Sequence, residues 1–337
     1  MNPLSSIFGA GVWVRNTLYD RGLALSRQLQ GPVVSVGNLS VGGSGKTPFV
    51  LLLGELLKAR AMSFDILSRG YGRKKHGIAR VDPAGSSRDF GDEPLLLARR
   101  LGVPVIVGED RHEAGLFAEK SLGPQLHLLD DGFQHRGLAR DFDIVLVTPE
   151  DSRDHLLPAG RLREPVNSLS RADAVVLTSG ASPESFPLQG KLVWRVRRGI
   201  SLTNVPARAI VFCGIARPQN FLLQLHTAGV EPVAQALYRD HHAYTESDIQ
   251  DLLKLRQQSE AECFVTTEKD AINLGGYLEA LQPLAVIPVK MELVDAANAV
   301  DIMMRTIAER RTRHETILDE DASQVSSARK AGPPGHD

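Results

Sequence analysis

Ser35-Val36-Gly37-Asn38-Leu39-Ser40-Val41-Gly42-Gly43-Ser44-Gly45-Lys46-Thr47-Pro48 decides how this chain is read. An apolar, β-prone run, Pro32-Val33-Val34-Ser35-Val36, leads into it. Phe49-Val50-Leu51-Leu52-Leu53-Gly54-Glu55-Leu56-Leu57 leads out with the composition of a buried helix. Strand, glycine-rich loop and helix are the context of a phosphate-binding loop. Glycines let successive backbone N–H groups curl around a phosphate, and the helix N-terminus adds unpaired donors and partial positive charge. The stretch therefore predicts a nucleotide site made of Ser40, Val41, Gly42, Gly43, Ser44, Gly45, Lys46 and Thr47. In it Lys46 reaches the β- and γ-phosphates and the Thr47 hydroxyl ligates Mg²⁺. One position departs from the usual G-x-x-x-x-G-K-[ST]: serine stands at position 40 in place of the first glycine.

Further apolar runs of strand length follow at Phe64–Ser68, Pro104–Val107, Leu126–Asp130, Asp143–Thr148 and Ala174–Thr178. They are nearly continuous rather than alternating, as strands of a parallel sheet covered on both faces are. Helices at Leu95–Arg100 and Arg111–Lys120 fall between them. Polar residues gather just past the strands' C-terminal ends, where α/β sheets place their sites. Arg69-Gly70-Tyr71-Gly72-Arg73 is one such loop. Asp130-Asp131 is another, resembling the second half of a phosphate-loop site, and the pair predicts metal binding together with Thr47. Gly91-Asp92-Glu93-Pro94 precedes a helix, and on spacing alone its carboxylates are caps. The proline-bounded loop Leu157–Pro165 carries Arg161, Arg163 and Glu164. It reads equally as a solvated loop or as an anion-binding one, since a guanidinium donates bidentately.

A second α/β unit begins near residue 200, with strands at Ala209–Cys213, Cys263–Thr266 and Leu284–Val289. Its helices include Glu246–Gln257, with Thr245 as N-cap, and the last long helix is expected over Val294–Arg310. Asp240-His241-His242 has no third ligand spaced for zinc, which leaves acid–base work or turn chemistry. The fold class is thus α/β, a P-loop NTPase-like parallel sheet flanked by helices. The expected organisation is an N-terminal amphipathic helix in 1–30, the phosphate-loop core in 31–200, a smaller α/β domain in 201–312 and a disordered polar tail in 313–337. In the first segment Leu4, Ile7, Phe8, Val12, Trp13, Leu18, Tyr19, Leu23 and Leu25 recur at near-helical spacing among Arg15, Arg21 and Arg27. Such a face suits the headgroup boundary of an anionic membrane or the protein's own core.

The 337 residues are enough for one large or two modest domains, and the net charge of −1 supplies no overall basic field for nucleic acid. Cys213 and Cys263 have no metal-ligand spacing, which fits a reduced, cytosolic setting. No apolar run approaches the roughly 18 residues of a membrane span, and no cleavable signal sequence is expected.

Taken together, these motifs resemble the tetraacyldisaccharide 4′-kinase family, the lipid A 4′-kinases of Gram-negative bacteria. The resemblance runs from Pro3-Leu4-Ser5 to about residue 310. It is carried by Ser35–Pro48, Leu67-Ser68-Arg69-Gly70-Tyr71-Gly72, Gly91-Asp92-Glu93-Pro94, Asp130–His135, Pro158-x-Gly160-x-Leu162-Arg163-Glu164-Pro165, Asp240-His241-His242 and Thr266–Asp270. The family is similar to this sequence at Ser40 as well. The resemblance implies an ATP- and Mg²⁺-dependent kinase acting on the 4′-hydroxyl of a lipid-anchored disaccharide 1-phosphate, at the cytoplasmic face of the inner membrane. It implies Asp92 as catalytic base assisted by His241, revising the capping assignment. It also implies Arg69, Tyr71, Arg163 and Glu164 on the substrate or metal side, and an N-terminal segment at an anionic membrane surface. With Asp92 in the first unit and His241 in the second, the site would lie in a cleft whose closure excludes water. A monomer is the simplest expectation. A partitioning-type ATPase is disfavoured because its signature lysine position holds Val41. A guanine-specific GTPase is disfavoured because Thr267-Glu268-Lys269-Asp270 sets the lysine one residue late for [NT]-K-x-D.

Overall fold

In the computed structural model, which describes residues 3–202 and 205–330, the chain opens with helix α1 (Pro3–Asp20) and enters its sheet at β1 (Val33–Asn38). Helix α2 (Lys46–Ala59) follows the glycine loop. Next come β2 (Phe64–Ser68), β3 (Ala79–Arg80), α3 (Ser87–Phe90), α4 (Asp92–Leu101), β4 (Val105–Val107), α5 (Arg111–Leu122), β5 (Leu126–Asp130), β6 (Phe142–Val147), β7 (Ala174–Leu177) and β8 (Leu192–Ile200). A second set comprises β9 (Ala209–Cys213), α6 (Pro218–Thr227), β10 (Ala234–Leu237), α7 (Glu246–Ser259), β11 (Cys263–Thr267), α8 (Glu268–Leu274), β12 (Leu284–Ile287) and β13 (Val289–Leu293). Residues 295–337 separate as another compact unit, described as the single helix α9 (Ala296–Lys330). The segment expected as a disordered tail is instead part of α9 as far as Lys330, and 331–337 lie outside the described residues.

The large sheet has the order β13-β8-β7-β6-β1-β5-β2-β4-β3, parallel except for β3 and β13 at its two edges. Every residue of β1, β2, β5 and β6 is buried, which is why these strands read as continuous apolar runs. β1 sits between β5 and β6, with Val36 level with Asp130 on one side and Ile144 on the other. That register sets the glycine loop beside the aspartate pair. Helix α5 packs Ala114 and Ala118 onto Leu67, Ile106 and Leu129. Helix α2, with Phe49, Leu53 and Leu57 buried, contacts β1, β5, α4 and β13.

The second sheet, β10-β9-β11-β12, is wholly parallel. Leu284–Val289 was expected as one strand and is two. Pro288 has no N–H to continue the ladder, so the chain leaves β12 and returns as β13 to pair antiparallel with β8 in the large sheet.

Helix α1 buries Val12, but most of its large apolar residues face outward. Leu4, Ile7 and Trp13 are 60%, 69% and 67% exposed, and Val14 and Leu18 are also exposed. Polar residues make further attachments. Ser5 Oγ donates to Leu156 O, Arg15 and Asn16 donate to Glu164, and Arg136 donates to Asn16 O. Among the described residues, no helix is long and apolar enough to cross a membrane.

Candidate active site

The loop between β1 and α2 has positive φ at Gly42 (79°), Gly43 (34°) and Gly45 (89°), a region that a Cβ disfavours. Position 40 has no such requirement, which accounts for the serine. Ser40 is buried and bridges Leu162, while the Val41 N–H donates to Arg161 O at 2.8 Å. Lys46 Nζ turns back to donate to Asn38 Oδ1 at 2.9 Å and lies 3.4 Å from Asp131 Oδ1. The buried hydroxyls of Ser40 and Ser44 have no partner among the described residues.

The aspartate pair divides its work. Asp131 takes a left-handed backbone (φ 53°) that turns its carboxylate toward Lys46 and Arg163, whose Nη1 donates at 2.8 and 2.9 Å. Burial would raise the Asp131 carboxyl, but those two cations outweigh it and hold it below the ordinary range. Asp130 is fully desolvated at the end of β5. Its Oδ2 accepts from Ser68 Oγ at 3.1 Å, and its Oδ1 is buried with no partner among the described residues. Burial, with the charges of Glu93 and Asp131, pushes its carboxyl up to about 7.

Glu93 links this pair to the next group, because it follows Asp92 in the first turn of α4. Gly91 (φ 91°, ψ 150°) sets the start of that helix, and its Cα approaches Tyr71 so closely that a Cβ would stand 2.9 Å from the Tyr71 carbonyl oxygen. Asp92 does cap its own helix, accepting from the Glu93 N–H at 2.9 Å. It also accepts from His241 Nδ1 at 2.8 and 3.1 Å and from Asn273 Nδ2 at 3.2 Å. Lys269 Nζ lies 3.8 Å from Asp92, 3.5 Å from Glu93, 3.2 Å from Asp240 and 3.2 Å from His241 Nε2. Burial would raise Asp92, but the His241 bond, the Lys269 charge and the Asn273 bond hold it below the usual carboxylate range. The same bond raises His241. A desolvated carboxylate, an imidazole and an ammonium thus converge beside a phosphate loop, an arrangement suited to moving a hydroxyl proton next to a phosphoryl group.

The family model described as tetraacyldisaccharide-1-P 4′-kinase matches residues 1–308. The chain belongs to the tetraacyldisaccharide-1-P 4′-kinase family. It is 52% identical over 321 residues to a tetraacyldisaccharide 4′-kinase of Koribacter versatilis, covering 92% of this chain and 100% of that one. It is 40% identical over 293 residues to the tetraacyldisaccharide 4′-kinase of Aquifex aeolicus, covering 82% and 89%. The crystal structure of LpxK from Aquifex aeolicus in complex with ATP superimposes with a TM-score of 0.75 at 36% identity, covering 90% of this chain and 98% of that chain. The match confirms the α/β P-loop kinase fold.

Not every residue that the family resemblance pointed to reaches the cleft. Arg163 sits on Asp131 and 3.3 Å from Gln134 Oε1. Glu164, expected on the substrate or metal side, is 0% exposed and committed to Arg15, Asn16 and Arg171 at 2.8, 3.0 and 2.8 Å. It is a tether for α1, since both oxygens are already taken. Tyr71 is exposed, with its ring 5.4 Å from that of His241, and Arg69 is exposed on the same loop. His242 points elsewhere, stacked on Tyr238 and 3.1 Å from Asp248. The sequence reading missed Lys269 and Asn273 as members of this cluster. Their i,i+4 spacing, which puts both on one side of α8, was the available signal.

Proposed function

We propose that the chain transfers the γ-phosphoryl group of ATP to the 4′-hydroxyl of tetraacyldisaccharide 1-phosphate, giving the lipid IVA of lipid A biosynthesis. The observation that carries this reading is the Asp92–His241 contact at 2.8 Å, with Glu93 close enough to raise the Asp130 carboxyl, in a chain whose family match spans 1–308. The loop N–H groups of Val41 to Thr47 and the Lys46 ammonium would cradle the phosphates. Asp92 would accept the hydroxyl proton as the phosphoryl group transfers, held in place by His241, Asn273 and the helix N-terminus. Lys269 would balance the charge of Asp92, Glu93 and Asp240. Arg69 and Tyr71, exposed beside the dyad, are suited to contact the sugar or its phosphate.

The donor set fits Mg²⁺. Among the described residues no three His, Cys, Asp or Glu side chains form a dedicated metal cluster. A phosphate-loop site needs only a hydroxyl and a carboxylate, with nucleotide and water supplying the rest. Asp130, whose buried Oδ1 lacks a partner, and Thr47 would hold the ion, while Asp131 serves Lys46 and Arg163. When bound, it would offset charge on the transferring phosphoryl group.

The outward apolar face of α1 supports a peripheral place on an anionic bilayer, the cytoplasmic face of the bacterial inner membrane, where a lipid-anchored acceptor is met. A monomer is proposed as the simplest form. The test is transfer from γ-labelled ATP to detergent-dispersed tetraacyldisaccharide 1-phosphate. Labelled lipid is expected with wild type, falling about 10²-fold or more with Asp92→Asn. ATP hydrolysis without labelled lipid would refute the kinase reading, and an unimpaired Asp92→Asn would return that residue to capping alone.

A further inference from the structure

Strand β8 carries an anomaly. Its inward face reads Trp194, Val196, Arg198 by the period-two alternation of a strand, with the first two buried at 6% and 5%. Arg198 lies opposite Met291 on β13, as Val196 lies opposite Leu293, and both partners are buried. Arg198 Nε is itself buried without a hydrogen bond, and among the described residues the guanidinium has no carboxylate partner. Among the described residues the charged group acting on it is another arginine, Arg217. Burial and that like charge both lower its proton affinity. Arg217, from the loop after β9, gives Nη1 to Glu150 at 3.2 Å, but its Nη2 is buried and unpartnered.

Arg217 stands against the phosphate loop, and Arg198 is joined to it through its strand partner Met291. A Cβ on Gly43 would lie 2.8 Å from Arg217 Cγ, and a Cβ on Gly45 would lie 3.3 Å from the Cε of Met291, the cross-strand partner of Arg198. A desolvated guanidinium beside a like charge is costly, and among the described residues Arg198 has no carboxylate partner to offset it. An anion placed between the two arginines removes that cost. Phosphate suits the planar, multidentate donor geometry better than a simple ion does.

We propose that Arg198 and Arg217 form a clamp for the phosphates of the bound nucleoside triphosphate, alongside the loop N–H groups and Lys46. The identity of the anion rests on the kinase reading. The clamp itself rests on two buried donors without a partner among the described residues, Arg198 Nε and Arg217 Nη2.

The experiment measures binding of ATP and of inorganic tripolyphosphate to the full chain by calorimetry, together with the ligand-free melting temperature, for wild type, Arg198→Met and Arg217→Met. Each variant should weaken both ligands about 10- to 100-fold, while the ligand-free melting temperature stays level or rises as the like-charge contact is relieved. A structural role moves the readouts the other way: the ligand-free protein melts lower and both dissociation constants stay at the wild-type value, which would overturn the clamp. Wild type binding tripolyphosphate but not ATP would refute the kinase reading and leave the clamp standing, provided the variants lose tripolyphosphate. Wild type binding neither would overturn both.

Discussion

Glu164→Gln separates a helix tether from a residue of the chemistry. Glu164 is 0% exposed and bridges Arg15 on α1 to Arg171, whose guanidinium also lies 4.4 Å from the centroid of Phe133. The glutamine keeps the size and one acceptor but removes the charge and turns an N–H₂ toward a guanidinium. Breaking a buried pair from one side costs about 3–5 kcal/mol because the other charge stays desolvated. The Arg15 share is discounted to under about 1 kcal/mol, since that side chain is 39% exposed. Taking about 3 kcal/mol and about 2 °C per kcal/mol for a chain of this size, the melting temperature at pH 7 should fall by about 6 °C. Burial would raise the Glu164 carboxyl, but Arg171, Asn16 and Arg15 hold it below its ordinary value. Its stabilisation is therefore present above the unfolded pKa of about 4.3 and is lost as pH falls through the lower folded value. The gap between wild type and variant should close only below about pH 4. ATP binding should be unchanged, because the contacts of Lys46 and Asp131 do not include Glu164, while binding to anionic vesicles should weaken as α1 loosens. Unchanged melting and vesicle binding with phosphoryl transfer abolished would refute this account and return Glu164 to the substrate side.

Three further outcomes follow from the same contacts. In the pH profile of kcat/KM the acid limb should lie below about pH 4, where Asp92 is protonated. His241→Ala removes the bond that does most to lower Asp92 and leaves the burial that raises it, so the limb should move up; an unmoved limb would exclude Asp92 as the titrating group. Asp65 and His127, both 0% exposed and 2.9 Å apart, are each raised, Asp65 by burial and His127 by its carboxylate bonds against burial. The folded state then holds protons more tightly than the unfolded one, so this contribution is full below the unfolded histidine pKa of about 6.5 and fades as pH rises through the folded value. The melting-temperature advantage of wild type over Asp65→Asn should accordingly shrink from pH 6 upward, and parallel curves would count against it. Replacing Leu4, Ile7 and Val14 together by Glu should abolish sedimentation with anionic vesicles while leaving the melting temperature within about 1 °C, as for exposed positions; retained sedimentation would show that α1 is not the contact.

The central strands and the phosphate loop were legible because local chemistry fixes them. β1, β2 and β5 are buried on both faces and so announce themselves as apolar runs, and only a glycine-rich loop can curl in front of a helix as residues 42–45 do. Strand β8 was not legible, because Arg198 cuts its buried apolar face to Trp194 and Val196 and three arginines make the run look like a solvated loop. Strand β13 was hidden by its place, just one residue past β12, since nothing in Val289–Leu293 says that it returns to the other sheet. The site follows the same division. Lys46, Thr47 and the Asp130–Asp131 pair lie where one strand meets one loop. The convergence of Asp92, His241, Lys269 and Asn273 spans some 180 residues of sequence and depends on how the two sheets meet. Family resemblance supplied Asp92 and His241. It also suggested Glu164 for the cleft, where the contacts of α1 rule differently.

The low pKa of Asp92 bears on what such a base can contribute. A carboxylate held below its ordinary range by His241, Asn273 and Lys269 binds a proton weakly, so it cannot generate an alkoxide ahead of phosphoryl transfer. A loose phosphoryl-transfer transition state asks for little nucleophile deprotonation, and the proton becomes acidic only as the new P–O bond forms. The geometry suits that timing. Both Asp92 oxygens are fixed by donors from two elements, the first turn of α4 and the face of α8, together with His241. The carboxylate is therefore oriented rather than strongly basic, and orientation alone is worth several kcal/mol when reacting groups are held in line, about 7 at the lower end. The second sheet's donors thus exchange basicity for position. It follows that removing Asn273 or Lys269 should raise the basicity of Asp92 and still slow the reaction, an opposition that a base acting through proton affinity alone would not produce.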